Sequence, residues 1–223
     1  MARLTATDMV DMVRDSLGGE TSETLSATRI LRFINQSYLE LASLYQFDQL
    51  SSSTTLTTTS GTSEYELSVS NVLRITNIVD DTNNFKLRPM SEDQYHNFTQ
   101  GNSTSGAPVY WYIDGVGSNN RYNVALYPTP AGTYTLNVYY TKSPAELVLS
   151  PTATSAIIPE PWDDSIIYRA VARGWMMLGD IEAANKWRQT ARQNDQSAFK
   201  STYHPSQLID RTSSPIGMAL KNV

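Results

Sequence analysis

Cysteine is absent from this 223-residue chain, and histidine occurs only twice, at His96 and His204. The first absence excludes disulfides, thiolate chemistry and Cys-ligated zinc; the second excludes a histidine-rich metal site within one chain. Charge is scarce too, at 17% of residues against 40% hydrophobic. Serine, threonine, asparagine and tyrosine take the space that lysine and glutamate normally fill, which suits broad, wet, hydrogen-bonded interfaces. Long apolar runs are missing: the longest, Val109 to Ile113, is far short of a membrane span, and no membrane association is expected. The N-terminus MARLTATDMV lacks the apolar segment of a signal peptide. A soluble chain that matures in a cytoplasm is therefore expected. A net charge of -5 and a pI near 5.0 argue against a protein that binds nucleic acid by neutralising phosphates. A protein that encloses DNA without gripping it could still be acidic.

Catalytic signatures are equally sparse. No GxSxG elbow, Walker-type loop, GxGxxG or EF-hand loop occurs. No catalytic residue, metal ligand or cofactor is assigned, and an enzyme is not expected. His96 reads as a surface or partly packed residue, and His204 lies just before Pro205 near the end of the chain. Asp163 and Asp164 are adjacent on a helix, about 100° apart, so they do not converge as a glycosidase carboxylate pair. They read instead as acids that favour the first turn of a helix.

What is present divides the chain into four stretches. Residues 1–50 carry two amphipathic helices. The first spans about 5–17, capped by Thr5 or Thr7 and stopped by Gly18-Gly19. The second spans about 27–45, with Ile30, Leu31, Ile34, Tyr38, Leu41 and Tyr45 at helical spacing. Residues 51–145 switch to period two. Ser51 to Ser63 is almost wholly Ser and Thr and reads either as a flexible linker or as a β-edge. Val72–Val79, Phe85–Arg88, Val109–Ile113, Tyr122–Tyr127 and Thr133–Thr141 read as strands, with a short helix over Ser91–Phe98. Residues 146–202 form a connector and further helices, the last from Gly179-Asp180 to about Phe199. Residues 203–223 have no helical or strand period and cannot bury themselves. The fold class expected is α+β, a helical bundle of N- and C-terminal helices with an inserted antiparallel β-sandwich or barrel-like domain and an extended tail.

The segment IIPEPWDDSIIYRAVARGWMMLGD is the most informative. Pro161 sits in a first helical turn. Trp162, Ile166, Ala170 and Met177 form one apolar row, Ile167, Val171 and Leu178 a second, and only Ser165, Arg169 and Arg173 are plainly polar. Such a helix is either the middle of a core or wedged between two neighbours. Arg188 and Arg192, with Lys186 nearby, form a basic cluster that is either a solvated face or a salt-bridging subunit contact. Tyr110, Trp111, Tyr112, Tyr134, Tyr139 and Tyr140 could form a carbohydrate-stacking platform, which makes a carbohydrate-binding β-sandwich module the alternative reading.

The succession NQSYLELASLYQFDQL, GTSEYEL, SNVLRITNI, KLRPMSEDQYHNF, GAPVYWYIDG, LYPTPAGTYTLNVYYTKSPAEL and IPEPWDDSIIYRAVARGWMMLGD covers about Asp8 to Asn194. It resembles the head-to-tail adaptor (connector) proteins of tailed bacteriophages, including the tail tubular protein A type of short-tailed phages. The resemblance implies a structural virion protein at the neck, assembled in the host cytoplasm. It implies a homo-oligomeric ring, typically dodecameric, beneath the portal protein. It further implies a lumen that passes DNA and a lower face that receives a tail or nozzle protein. In similar adaptors a C-terminal segment docks into grooves between portal subunits; here that role falls to Tyr203, His204, Pro205, Leu208, Ile209, Ile216, Met218 and Leu220. Trp162, Ile166, Ile167, Val171, Trp175, Arg188 and Arg192 are the expected subunit-contact residues.

Overall fold

The computed structural model describes residues 3–19, 25–100, 104–149 and 155–202. The protein is α+β, with five α-helices among the described residues and mainly antiparallel sheets. In chain order the helices are α1 (Ala6–Ser16), α2 (Ala27–Leu44), α3 (Glu92–Thr99), α4 (Asp163–Met177) and α5 (Ile181–Thr202). Two compact units result: Met1–Leu44 with Pro144–Val223, and Tyr45–Ser143.

In the helical unit, α4 packs against α1, α2 and α5. Helix α1 starts at a capping box in which the Thr5 hydroxyl accepts from the Asp8 N–H at 3.2 Å and the Asp8 carboxylate accepts from the Thr5 N–H at 2.9 Å. It ends where Gly18 and Gly19 take positive φ angles of 89° and 68°. Met9, Val10 and Val13 are its buried row, and Ile30, Ile34, Tyr38 and Leu41 are that of α2. The connector is stitched to α2 by side chains. Asn35 accepts from the Leu147 N–H at 2.8 Å and donates to the Leu147 carbonyl at 3.0 Å, and the Tyr38 hydroxyl accepts from the Ile157 N–H at 2.8 Å. A single 3-10 turn, Glu160–Trp162, precedes α4, and the Trp162 indole N–H donates to Thr202 at 3.0 Å.

Burial settles the two-faced helix as the middle of a core. Trp162, Ile166, Ile167 and Val171 are between 0% and 2% exposed inside their own protomer. Four of the seven expected subunit-contact residues are thus interior residues, because α1, α2 and α5 of the same chain cover both apolar rows. Met176, Met177, Leu178 and Ile181, where α4 turns into α5, are instead exposed, Ile181 to 67%. The expected apolar rows are therefore left uncovered at that end, Met177 and Leu178 included.

The second unit contains β1 (Ser51–Thr57), β2 (Glu64–Glu66), β3 (Val72–Asp80), β4 (Phe85–Lys86), β5 (Arg88–Pro89), β6 (Ser105–Gly106), β7 (Tyr110–Val116), β8 (Tyr122–Tyr127), β9 (Thr129–Pro130) and β10 (Thr135–Lys142). One sheet has the order β1-β10-β3-β4 and the other β2-β8-β7-β5, while β6 and β9 pair with each other. Leu56, Ile78, Leu136 and Val138 of the first sheet share a core with Trp111, Val124 and Leu126 of the second. Ser51–Thr57 of the Ser/Thr-rich segment form an edge strand, not a linker. The strand expected over Phe85–Arg88 is split. Phe85 and Lys86 pair with β3, Leu87 is fully buried in the shared core, and Arg88-Pro89 run parallel to β7 in the other sheet. Pro89 is tolerated there because β5 is an edge strand.

Close approach of α1 to α4 depends on Gly174, where an added Cβ would lie 2.6 Å from Leu17 Cδ1. Gly174→Val is expected to destabilise the helical unit by about 2 kcal/mol through overpacking, read by chemical denaturation. Adding Leu17→Ala should recover part of that loss.

Candidate functional site

The polar strip of α4 is largely turned inward: Ser165 and Arg169 are buried and Arg173 is half-buried. Arg169 and Arg173, one turn apart, turn toward α2 and α5 and meet Arg188 and Arg192, one turn apart on α5, around a cleft of about 190 Å³ that Glu40 also lines. The hairpin that brings the four arginines together is set by Gly179, at φ 85°, and by Asp180, whose carboxylate accepts from the Ala183 N–H at 2.8 Å. Arg169 is 9% exposed and donates to the buried Asp195 carboxylate at 2.8 Å. Its Nε lies 3.6 Å from Glu40, and Arg173 donates to the other oxygen of Glu40 at 2.7 Å. Both carboxylates are thus engaged by the two arginines of α4. Arg188 meets the sulfur of Met176, and neither Arg188 nor Arg192 has a carboxylate within ion-pair reach among the described residues. The cleft therefore carries surplus positive charge in a protein that is acidic as a whole.

Of the expected contact residues, Arg188 and Arg192 stand at this cleft and are exposed, and Trp175 is half-buried with an indole N–H that lacks a hydrogen-bond partner. The expected docking residues Tyr203, His204, Pro205, Leu208, Ile209, Ile216, Met218 and Leu220 lie outside the described residues. Sequence reasoning missed Glu40 and Asp195. The available signal was the pair of arginines on an otherwise apolar helix, since a buried cation demands a carboxylate. Nothing local says which one, and Glu40 lies 133 residues from Arg173 in the chain.

The aromatic strands do not present a flat platform. Trp111 lies in the core between the sheets, and Tyr140 is also buried. Tyr112 is covered by α3, whose Tyr95 ring lies 4.5 Å away, and Phe98 of α3 stacks on Tyr110 and Tyr127 at 5.9 and 5.4 Å. The capping box of Ser91 and Gln94 starts that helix. Burial and the Asp114 carboxylate hydrogen-bonded to it push the Tyr112 phenol well above its usual range. Of the adjacent acids, Asp163 is buried and Asp164 exposed, so the two point into different surroundings. His96 is exposed on α3, 3.6 Å from Glu92. Among the described residues no group of three or more His, Asp and Glu side chains is placed to hold a metal ion, and no helix is long and apolar enough to cross a membrane.

Residues 4–218 match the family model described as SU10 adaptor protein. No curated protein matches the chain.

Removing Asp195 leaves the buried Arg169 guanidinium with only the Glu40 carboxylate, at 3.6 Å. Asp195→Ala is expected to cost about 3 kcal/mol in denaturant unfolding, and a joint Arg169→Leu, Asp195→Leu change to cost much less. Asp163 supplies a pH-dependent counterpart. Burial pushes its carboxyl up to about 6, against the opposing pull of Arg3 at 3.6 Å. The folded state then holds a proton that the unfolded chain has lost, so stability falls as pH rises from about 4 to about 6. Asp163→Asn should raise the melting temperature at pH 8, by on the order of 1–3 kcal/mol of stability, and the gain should shrink below pH 5. A gain that stays constant across that range would contradict this origin.

Proposed function

The chain belongs to the SU10 adaptor protein family, and we propose that it acts as a head-to-tail adaptor in the neck of a tailed bacteriophage. Copies form a ring, dodecameric by the resemblance, seated beneath the portal with DNA passing through the lumen. The helical unit builds the ring and meets the portal, and the β-unit, with its two sheets packed as an inserted sandwich, meets the tail or nozzle. The role is structural assembly rather than turnover. The observation that carries this reading is a family match that spans nearly the whole chain, both units included.

Three physical features support it. The corner formed by Met176, Met177, Leu178 and Ile181 leaves apolar area uncovered on a folded protomer, as expected of a subunit that is completed by neighbours. Surplus cations at the arginine cleft offer a directional contact. The acidic chain suits a channel wall, since a basic one would hold phosphates by counterion release and arrest DNA in transit. The carbohydrate reading loses its main support, because Trp111, Tyr112 and Tyr140 are spent on packing.

Portal docking is assigned to the C-terminal segment, with Leu208, Ile209, Ile216, Met218 and Leu220 as its apolar anchors and Tyr203, His204 and Pro205 at its root. Apolar side chains spaced without helical or strand period suit strand addition or insertion into successive pockets. Deletion of Pro205–Val223 should weaken binding to purified portal by at least tenfold while the melting temperature stays within a few degrees of the full chain. Unchanged affinity would remove the segment from this role. Negative-stain images of the full chain with portal should show a closed ring under the portal.

A further inference from the structure

The two arginines left without carboxylates have a counterpart on the same protomer. Helix α1 presents Asp8, Asp11, Met12 and Asp15 at spacings of three, one and three, and all four are exposed, with Met12 at 40%. They form one outward stripe, opposite the Met9, Val10 and Val13 row that α1 buries. Arg14 pairs with Asp11 at 2.8 Å, so the stripe keeps a surplus of negative charge. We propose that this acidic face of α1 docks into the arginine cleft between α2, α4 and α5 of a second copy of the chain, and that this is the contact which propagates the ring. The proposal rests on the adaptor reading and supplies it with a specific subunit contact.

Several observations favour that occupant. The charges are complementary: three carboxylates face outward on one side, and on the other stand two guanidiniums that no carboxylate among the described residues neutralises. Apolar parts match as well, because Met176 lies against Arg188 at the rim of the cleft and Ile181 projects nearby in sequence, giving Met12 a surface to cover. A cleft of about 190 Å³ admits a carboxylate with its methylene stem, and paired guanidinium forks hold such a head by two parallel N–H···O bonds.

Geometry also permits repetition. On α4, Gly174 faces Leu17 of α1, whereas Arg173, about 100° around the same helix, faces Glu40 and the cleft. Stripe and cleft therefore sit on different flanks of one helical unit. A contact between unlike patches leaves each docked copy with a free stripe or a free cleft, so it adds copies until rotation closes a ring.

The test is sedimentation velocity of the full chain at low and high ionic strength. The wild type is expected to associate at low salt and to weaken at high salt, because the paired charges are solvent-accessible. Arg188→Glu with Arg192→Glu should weaken association at least tenfold while thermal melting stays unchanged, both side chains being exposed. Adding Asp11→Arg and Asp15→Arg to that variant should restore association. Undiminished assembly of the doubly reversed variant would overturn the contact and leave the ring reading standing. A wild type that remains monomeric at low salt and high concentration would also overturn it. So would loss without rescue, which would give the cleft to another anion, nucleic acid included; binding of a short duplex that the double reversal abolishes would identify that case. Failure of the adaptor reading is seen separately, as absence of a ring beneath the portal in images of the wild type.

Discussion

A helix that is apolar on two faces and carries arginines on the third has to be covered along most of its surface, and the helical unit is organised around meeting that demand. Helices α1, α2 and α5 cover α4 together. The apolar rows require neighbours close enough to exclude water, which is why Gly174 stands where Leu17 crosses. Arginine at position 169 requires charge compensation in the same enclosure, because a guanidinium removed from water without a carboxylate costs several kcal/mol. Asp195 and Glu40 supply that compensation from two different helices. The interior network thereby fixes which way α4 is rotated, since any other rotation would bury a charge without a partner or expose an apolar row.

That compensation is complete inside and incomplete at the surface. The two α4 arginines take up both carboxylates, leaving Arg188 and Arg192 to face the cleft alone. At the turn from α4 into α5, Met176, Met177, Leu178 and Ile181 keep apolar area in water. Both leftovers follow from the enclosure of α4, and both have the character of a subunit surface: cationic, partly apolar and directional. The sheet unit solves a different problem. Its shared core needs a strand segment that crosses from one sheet to the other, and Leu87 provides the crossing by burying its side chain while the flanking pairs go to opposite sheets. Helix α3 then covers the outer tyrosines of β7 and β8, leaving little of them for a ligand.

Local chemistry made much of the fold legible. A threonine cap at Thr5 or Thr7, which the structure resolves as the Thr5–Asp8 box, the Ser91–Gln94 box, Gly18-Gly19 and Gly179-Asp180 mark helix ends by short-range hydrogen bonding and backbone freedom. Period-two alternation placed β3, β7, β8 and β10 within a few residues. The order of segments carried the family, and the match over residues 4–218 agrees with it. Less legible were features that depend on distant partners. The break at Leu87 has no local signal, since Phe85–Arg88 alternates like an unbroken strand. Trp162, Ile166, Ile167 and Val171, expected at a subunit contact, are buried within their own protomer; helical periodicity reports that a face is covered and not whose atoms cover it.

From the residues alone came most helix boundaries, the longer strands and the α+β class, which rest on interactions within a few positions, and the scarcity of catalytic groups, which rests on composition; the adaptor family came from the resemblance in the order of segments. Tertiary structure alone decided that α4 is central, that Arg169 and Arg173 consume Asp195 and Glu40, and that Arg188 and Arg192 are left with surplus charge. The reason is physical. A charge is neutralised by whichever opposite charge lies within a few ångströms, and for Arg173 that carboxylate stands 133 residues away along the chain.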